Sequence, residues 1–195
     1  MKLNSNKILI TGGASGIGLG LTERFISENN TVIICGRRED ALKEVASKFP
    51  SVITKACDLS IEEERTSLYD WVRTEHSDLN VLVNNAGIQN WMNVNDEDFY
   101  QRAKQEVCIN VLAPVHLTLL FLKLPSINTI INVTSGLAFV PFANGKPSGK
   151  YEIFADNFLI NKDQHKPCGL AQAPDGSIFI SDDSNGSVYK IQYGK

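Results

Sequence analysis

The chain has 195 residues, 43% hydrophobic and 21% charged, which suffices for a buried core and excludes an intrinsically disordered polypeptide. Nineteen Lys and Arg against 22 Asp and Glu leave a formal net charge of −3, without the basic surplus of a dedicated nucleic-acid binder. The four cysteines, Cys35, Cys57, Cys108 and Cys168, form no Cys-x-x-Cys pair, so neither a disulfide framework nor a zinc ribbon is indicated, and a reducing cytoplasm suits them.

The opening residues lead into an apolar run too short for a secretion signal. From Lys7 to Thr134, short β-branched runs alternate with longer helical patterns, which predicts stacked βαβ units on a parallel sheet. The predicted strands are Lys7 to Thr11, Thr31 to Cys35, Val52 to Ala56, Asn80 to Val83 and Thr129 to Val133. Helices are expected to begin near Gly16, Glu39, Ser60 and Asp96, the last running on to Leu124. The most apolar stretch, Val107 to Leu124, carries Asn110, Pro114, His116 and Lys123 and reads as a buried helix, not a membrane span. The expected architecture is α/β, a Rossmann-like doubly wound parallel sheet of order 3-2-1-4-5, left incomplete.

Past Pro141 the pattern changes, and Asn144 to Gly149 is rich in turn residues. Short alternating strands are expected at Tyr151 to Phe154, Ser177 to Ser181 and Ser187 to Tyr193, separated by Pro174-Asp175-Gly176 and by Asp182 to Gly186. The domain division is therefore 1–143, a dinucleotide-binding unit, and 144–195, a β-meander appendage.

Thr11-Gly12-Gly13-Ala14-Ser15-Gly16-Ile17-Gly18 follows the first strand and opens the first helix, the context in which glycines admit a pyrophosphate to a helix N-terminus. Its Gly-x-x-x-Gly-x-Gly spacing resembles the short-chain dehydrogenase/reductase family. Cys57-Asp58-Leu59, Asn84-Asn85-Ala86-Gly87, Asn110 and Thr134-Ser135-Gly136 follow in the family's order, and the resemblance covers about residues 7 to 143. It implies an NAD(P)-dependent oxidoreductase that moves a hydride between the nicotinamide and a small alcohol or carbonyl substrate. The implied cofactor residues are Gly12, Ser15, Gly16, Ile17, Gly18, Arg37, Asp58, Leu59, Asn85, Ala86 and Gly87, with Asp58 at the adenine and Asn84 bracing the central strands. The implied catalytic residues are Asn110 and Ser135.

After the second strand, Cys35-Gly36-Arg37-Arg38 offers no acidic residue for the ribose hydroxyls of NAD, whereas the planar fork of Arg37 can pair with a 2′-phosphate. NADP is expected over NAD; the alternative is a solvated arginine pair leading the next helix. The family's Tyr-x-x-x-Lys pair belongs on the helix after Ser135, its tyrosine near position 148, where Ser148 stands. Tyr151 is followed at +4 by Ala155, and neither Tyr189 nor Tyr193 has a lysine at +4. With both groups missing, the chain is expected to be truncated before its catalytic motif and to have little or no activity. Two further family strands are also missing, which would leave the fifth strand an open edge.

Residues Pro167 to Asp183, with an Ala-Pro-Asp-Gly turn and a Ser-Asp-Asp strand end, resemble the last blade of a β-propeller of the sorbosone or glucose dehydrogenase type. A lone blade implies no quinone or sugar chemistry. The rival readings are a non-catalytic nucleotide-binding or interaction module, and a chimera of two unrelated genes. His76, His116 and His165 share no ligand spacing and no metal is expected. Expected partners are thus the dinucleotide and a small substrate, without nucleic acid or membrane, with oligomeric state open.

Overall fold

A computed structural model describes residues 4–90 and 92–134 and, beyond them, the strands at 142–143, 146–147, 167–172, 178–182 and 187–191. The chain divides into two compact units, Met1–Asn132 and Val133–Lys195. In the first, β1 (Lys7–Thr11), β2 (Thr31–Gly36), β3 (Ile53–Ala56), β4 (Val81–Asn84) and β5 (Thr129–Asn132) form a parallel sheet of order β3-β2-β1-β4-β5. This is the expected order, with boundaries moved by a residue or so. Ile8, Leu9 and Ile10 at its centre are fully buried, as are Leu82 and Val83 beside them. Such continuous apolar runs are what a strand covered on both faces requires.

The connections are α1 (Gly16–Ser27), α2 (Glu39–Lys48), α3 (Glu62–Glu75), and a rod made of α4 (Phe99–Val107), a π turn (Cys108–Leu112) and α5 (Ala113–Phe121). On one face of the sheet, Leu68, Tyr69 and Val72 of α3 and Leu117 and Phe121 of α5 join Leu9, Ile33 and Leu82 in one apolar cluster. Tyr69 meets the Phe121 ring edge-on, with centroids 5.6 Å apart. The alternate residues Ile8, Ile10, Val32 and Ile34 point to the opposite face.

Four expectations are corrected. α3 begins at Glu62, not Ser60, because the Asp58 carboxylate accepts from the Ser60 amide and hydroxyl at 2.9 and 2.7 Å and holds those residues in a turn. α4 begins at Phe99, not Asp96, whose carboxylate accepts from the Asn93 amide at 2.9 Å. The helix expected from Asp96 to Leu124 is broken by the π turn, since Pro114 has no N–H to give the carbonyl of Asn110. Nor is this rod buried all round. Ile109, Ala113, Leu117, Leu120 and Phe121 face the core, but Val107, Val111, Val115, Leu119 and Leu122 are more than half exposed.

In the second unit, β6 (Phe142–Ala143) pairs antiparallel with β7 (Lys146–Pro147) across two intervening residues. β8 (Pro167–Gln172), β9 (Ile178–Asp182) and β10 (Ser187–Ile191) form a separate antiparallel meander of order β10-β9-β8. The last two sit where alternation predicts strands. β8 is not predicted by alternation, because it opens on a proline and carries a register shift between Pro167 and Gly169, both strand-weakening features. The strand expected at Tyr151 to Phe154 lies outside the described residues.

Removing the Phe121 ring (Phe121→Ala) should lower unfolding free energy by about 3–5 kcal/mol in urea melts, while Leu119→Ala on the exposed face should stay within about 0.5 kcal/mol. Equal effects would contradict the two-faced reading of the rod.

Candidate functional site

Parallel strands end together, so the loops leaving β1, β2, β3 and β4 gather at one edge of the sheet. The first of them, residues 12–15, enters α1 with Gly12 and Gly16 at φ of 66° and 53°, a region L side chains avoid. The remaining glycines answer to crowding. A Cβ on Gly18 would lie 2.2 Å from the Gly12 carbonyl oxygen, and one on Gly13 would lie 2.4 Å from Ile34 Cγ2. The buried Thr22 hydroxyl lies 3.0 and 2.9 Å from the carbonyls of Gly13 and Gly18 and holds the elbow from within the helix. Ser15, the residue before α1, makes no side-chain cap, so the first-turn amides of Gly16, Ile17 and Gly18, which a helix leaves without an intrahelical acceptor, receive none from it.

Thr11 joins the first loop to the fourth. Its hydroxyl oxygen accepts from the amides of Asn85 and Ala86, both at 2.9 Å, and its carbonyl accepts from Asn85 Nδ2 at 2.9 Å. Asn84 Nδ2 donates to Asn132 Oδ1 at 2.9 Å and to Thr118 Oγ1 at 3.2 Å, tying β4 to β5 and α5. Ala86 and Gly87 continue this loop, and Asn110 secures its next residue: its amide donates to the Ile88 carbonyl at 2.7 Å and its oxygen accepts from the Ile88 amide at 2.9 Å. The backbone amide of Asn90 donates to Glu106. Asn110 thus sits in the π turn, a local geometry that recurs at functional sites.

Arg37 leaves β2 exposed, on the same edge as Asp58. Partial burial works against ionisation of Asp58, yet the Ser60 hydroxyl and amide, and then the Arg37 guanidinium, hold its carboxyl below the usual carboxylate range. Its own amide donates to Glu64 at 2.5 Å, and Leu59 beside it is buried. Burial drives the Cys35 thiol far up, and burial followed by the Glu64 and Asp58 charges pushes Cys57 up to about 12, which removes both as nucleophiles at neutral pH.

The elbow residues, Arg37, Asp58, Leu59, Asn85, Ala86, Gly87 and Asn110 are therefore all brought to this edge. Ser135 lies outside the described residues, as do Ser148 and Tyr151. Thr11, Thr22 and Glu64 have structural roles that sequence reasoning passed over; buried hydroxyls beside a glycine loop were their available signal. The chain does contain one Tyr-x-x-x-Lys spacing, Tyr100 to Lys104, but on α4. Tyr100 is 71% exposed there and precedes Asn110 by ten residues, or about 15 Å of helix. Among the described residues no group of three or more His, Cys, Asp or Glu could hold a metal, and no helix is long and apolar enough to cross a membrane.

A parallel sheet whose first strand feeds a glycine elbow into an uncapped helix is the site architecture of a Rossmann-like α/β protein. The sequence pattern of the family described as short chain dehydrogenase matches residues 6–147, and the chain belongs to that family. It is 44% identical over 153 residues to an uncharacterized oxidoreductase, DltE, of Bacillus subtilis, covering 73% of this chain and 58% of that protein. To L-fucose dehydrogenase of Bos taurus it is 29% identical over 130 residues, or 66% of this chain and 48% of the other. The fold superposes on the bulky-bulky ketone specific alcohol dehydrogenase of Comamonas testosteroni with a TM-score of 0.61 at 25% identity, covering 70% of this chain and 58% of that one. A short-chain dehydrogenase of Sphingobium yanoikuyae, solved in complex with NADPH, gives the same TM-score of 0.61 at 23% identity, over 70% and 56% of the two chains. The chain spans about half the length of the curated relatives it matches.

Gly18→Ala should unfold the elbow locally, because the Cβ would meet a backbone oxygen and not a flexible side chain. A melting temperature within a degree or so of wild type, on the roughly 4–8 °C per kcal/mol scale of small domains, would contradict that geometry. The depressed carboxyl of Asp58 contributes stability that is present above its unfolded value and lost as pH falls through its folded one. The stability gap between wild type and Asp58→Asn should therefore be full near neutrality and close below about pH 4 in parallel urea melts.

Proposed function

We propose that residues 7–134 bind a nicotinamide dinucleotide with its diphosphate at the N-terminus of α1 and its adenosine between Arg37 and Asp58. The observation that carries this is the elbow: first-turn amides of Gly16, Ile17 and Gly18 without a capping side chain, and a Gly16 where a Cβ would meet nothing within 4 Å. These residues fit a bound diphosphate, which needs donors and room for close backbone approach. Arg37, exposed beside Asp58, favours the 2′-phosphate of NADP over the free ribose hydroxyls of NAD.

When bound, the dinucleotide supplies a hydride to, or takes one from, a carbonyl or alcohol carbon. This chain's part is to orient. Thr11 and Asn85 fix the β4 loop against the elbow, and Asn110 fixes the loop's next turn. Ser135, three residues beyond β5, is the hydroxyl assigned to hold the substrate oxygen. Reduction also requires a proton at that oxygen. No tyrosine after Ser135 has a lysine at +4, and Tyr100 with Lys104 sits on the exposed face of α4. Turnover by this chain is accordingly about 10²- to 10⁴-fold below that of an enzyme with a positioned general acid. The same sequence feature favours the second reading, a nucleotide-binding module that does no chemistry.

NADPH should bind more tightly than NADH in a fluorescence titration, and at 100 times its dissociation constant should add about 2.7 kcal/mol to stability. Arg37→Ala should erase about tenfold of the NADPH preference, one charge-assisted contact's worth. Binding of neither nucleotide would remove the reading; NADPH oxidation with small aldehydes or ketones that Tyr151→Phe abolishes would overturn the predicted inactivity.

A further inference from the structure

Arg65 of α3 is 4% exposed, and among the described residues no carboxylate forms an ion pair with it. A guanidinium taken out of water is costly unless its donors are used in fixed directions. Here they are. Nε donates to His116 Nδ1 of α5 at 3.0 Å, and Nη1 donates to the Leu59 carbonyl at 2.5 Å. His116 accepts through Nδ1, so the ring serves Arg65 as a fixed stop on α5. Two further side chains act on the same short loop: Glu64 accepts from the Asp58 amide, and Cys108 of the π turn donates to the Ser60 carbonyl at 3.2 Å. Residues 58, 59 and 60 are thus each held by a different side chain, and the grip on Leu59 braces the loop against α5.

We infer that Arg65 is a positioning residue for the adenosine side of the site: through His116 it uses α5 as an anchor from which it fixes the Leu59 carbonyl, and with it the Asp58 carboxylate. The link to adenosine rests on the dinucleotide reading of Asp58. Arginine suits the task because its planar fork points two donors apart at once, toward a ring nitrogen on one element and a carbonyl on another; an ammonium is a point donor that cannot span both.

The test uses the full chain with Arg65→Met, which keeps length and removes the donors, and His116→Phe, which keeps Arg65 and removes its stop. Without ligand, amide hydrogen exchange at residues 58–61 should be about tenfold faster in both variants, while exchange in β1, β2 and β4 stays at wild-type rates. With ligands, the dissociation constant of adenosine 2′,5′-bisphosphate should rise about tenfold and that of reduced nicotinamide mononucleotide should not change. Wild-type exchange at 58–61 in both variants, acceleration spread evenly over the sheet, or equal weakening of both half-ligands would each overturn the inference. If Arg65→Met does not fold, His116→Phe decides it by the same readings. If the wild-type chain binds no adenosine phosphate at all, the nucleotide reading fails, and the ligand-free exchange comparison still decides whether Arg65 holds the loop.

Discussion

A helix that begins at an uncapped turn leaves its first amides to be satisfied from outside, and the geometry here keeps it that way. Ser15 does not reach back to them, and Gly18 packs so closely beneath the Gly12 carbonyl that no larger residue fits there. The elbow is held from three sides, by Thr22 inside α1, by Thr11 and Asn85 from the strand ends, and by the Gly12 amide donating to the Cys35 carbonyl at 2.8 Å. An anion-binding edge is only as good as its rigidity, since donors that must be ordered on binding lose part of what they contribute. The rest of the first unit can be understood as what keeps these amides in place.

The α4, π turn and α5 rod has a comparable role on the far side of the edge. It grips the β4 loop through Asn110 and Glu106, and the β3 loop through Cys108 and the Arg65 to His116 contact. The break at Pro114 shifts the register of the rod at the point where Asn110 projects. Meanwhile its apolar positions divide between a face packed on α3 and the sheet and a face left exposed. One rod therefore sets the positions of loops that arise from two different strands.

Much of this is legible in the sequence for a physical reason. Strands buried on both faces read as unbroken apolar runs, and glycines clustered between a strand and a helix mark a turn where backbone must come close to a neighbour or a ligand. What escapes is whatever depends on which way a side chain turns. Arg65 closes the charged run Glu62-Glu63-Glu64-Arg65, yet its 3.6-residue phase puts it inward beneath α5. Composition shows that Val107 to Leu124 is apolar but not that half of it faces outward. The early helix starts at Ser60 and Asp96 fail because aspartate side chains bind nearby amides in turns as readily as they cap helices. β8 is hidden by the proline and glycine within it. Ser135, expected from the family resemblance, falls outside the described residues.

The central claim is that the first amides of α1 receive a dinucleotide diphosphate. Amide nitrogen and proton shifts of Gly16, Ile17 and Gly18, followed while NADPH is added, measure this most directly. Large, saturating shifts at those three residues, together with the 58–60 loop and smaller ones elsewhere, are the expected result. Saturation of binding with those amides unmoved would contradict the account.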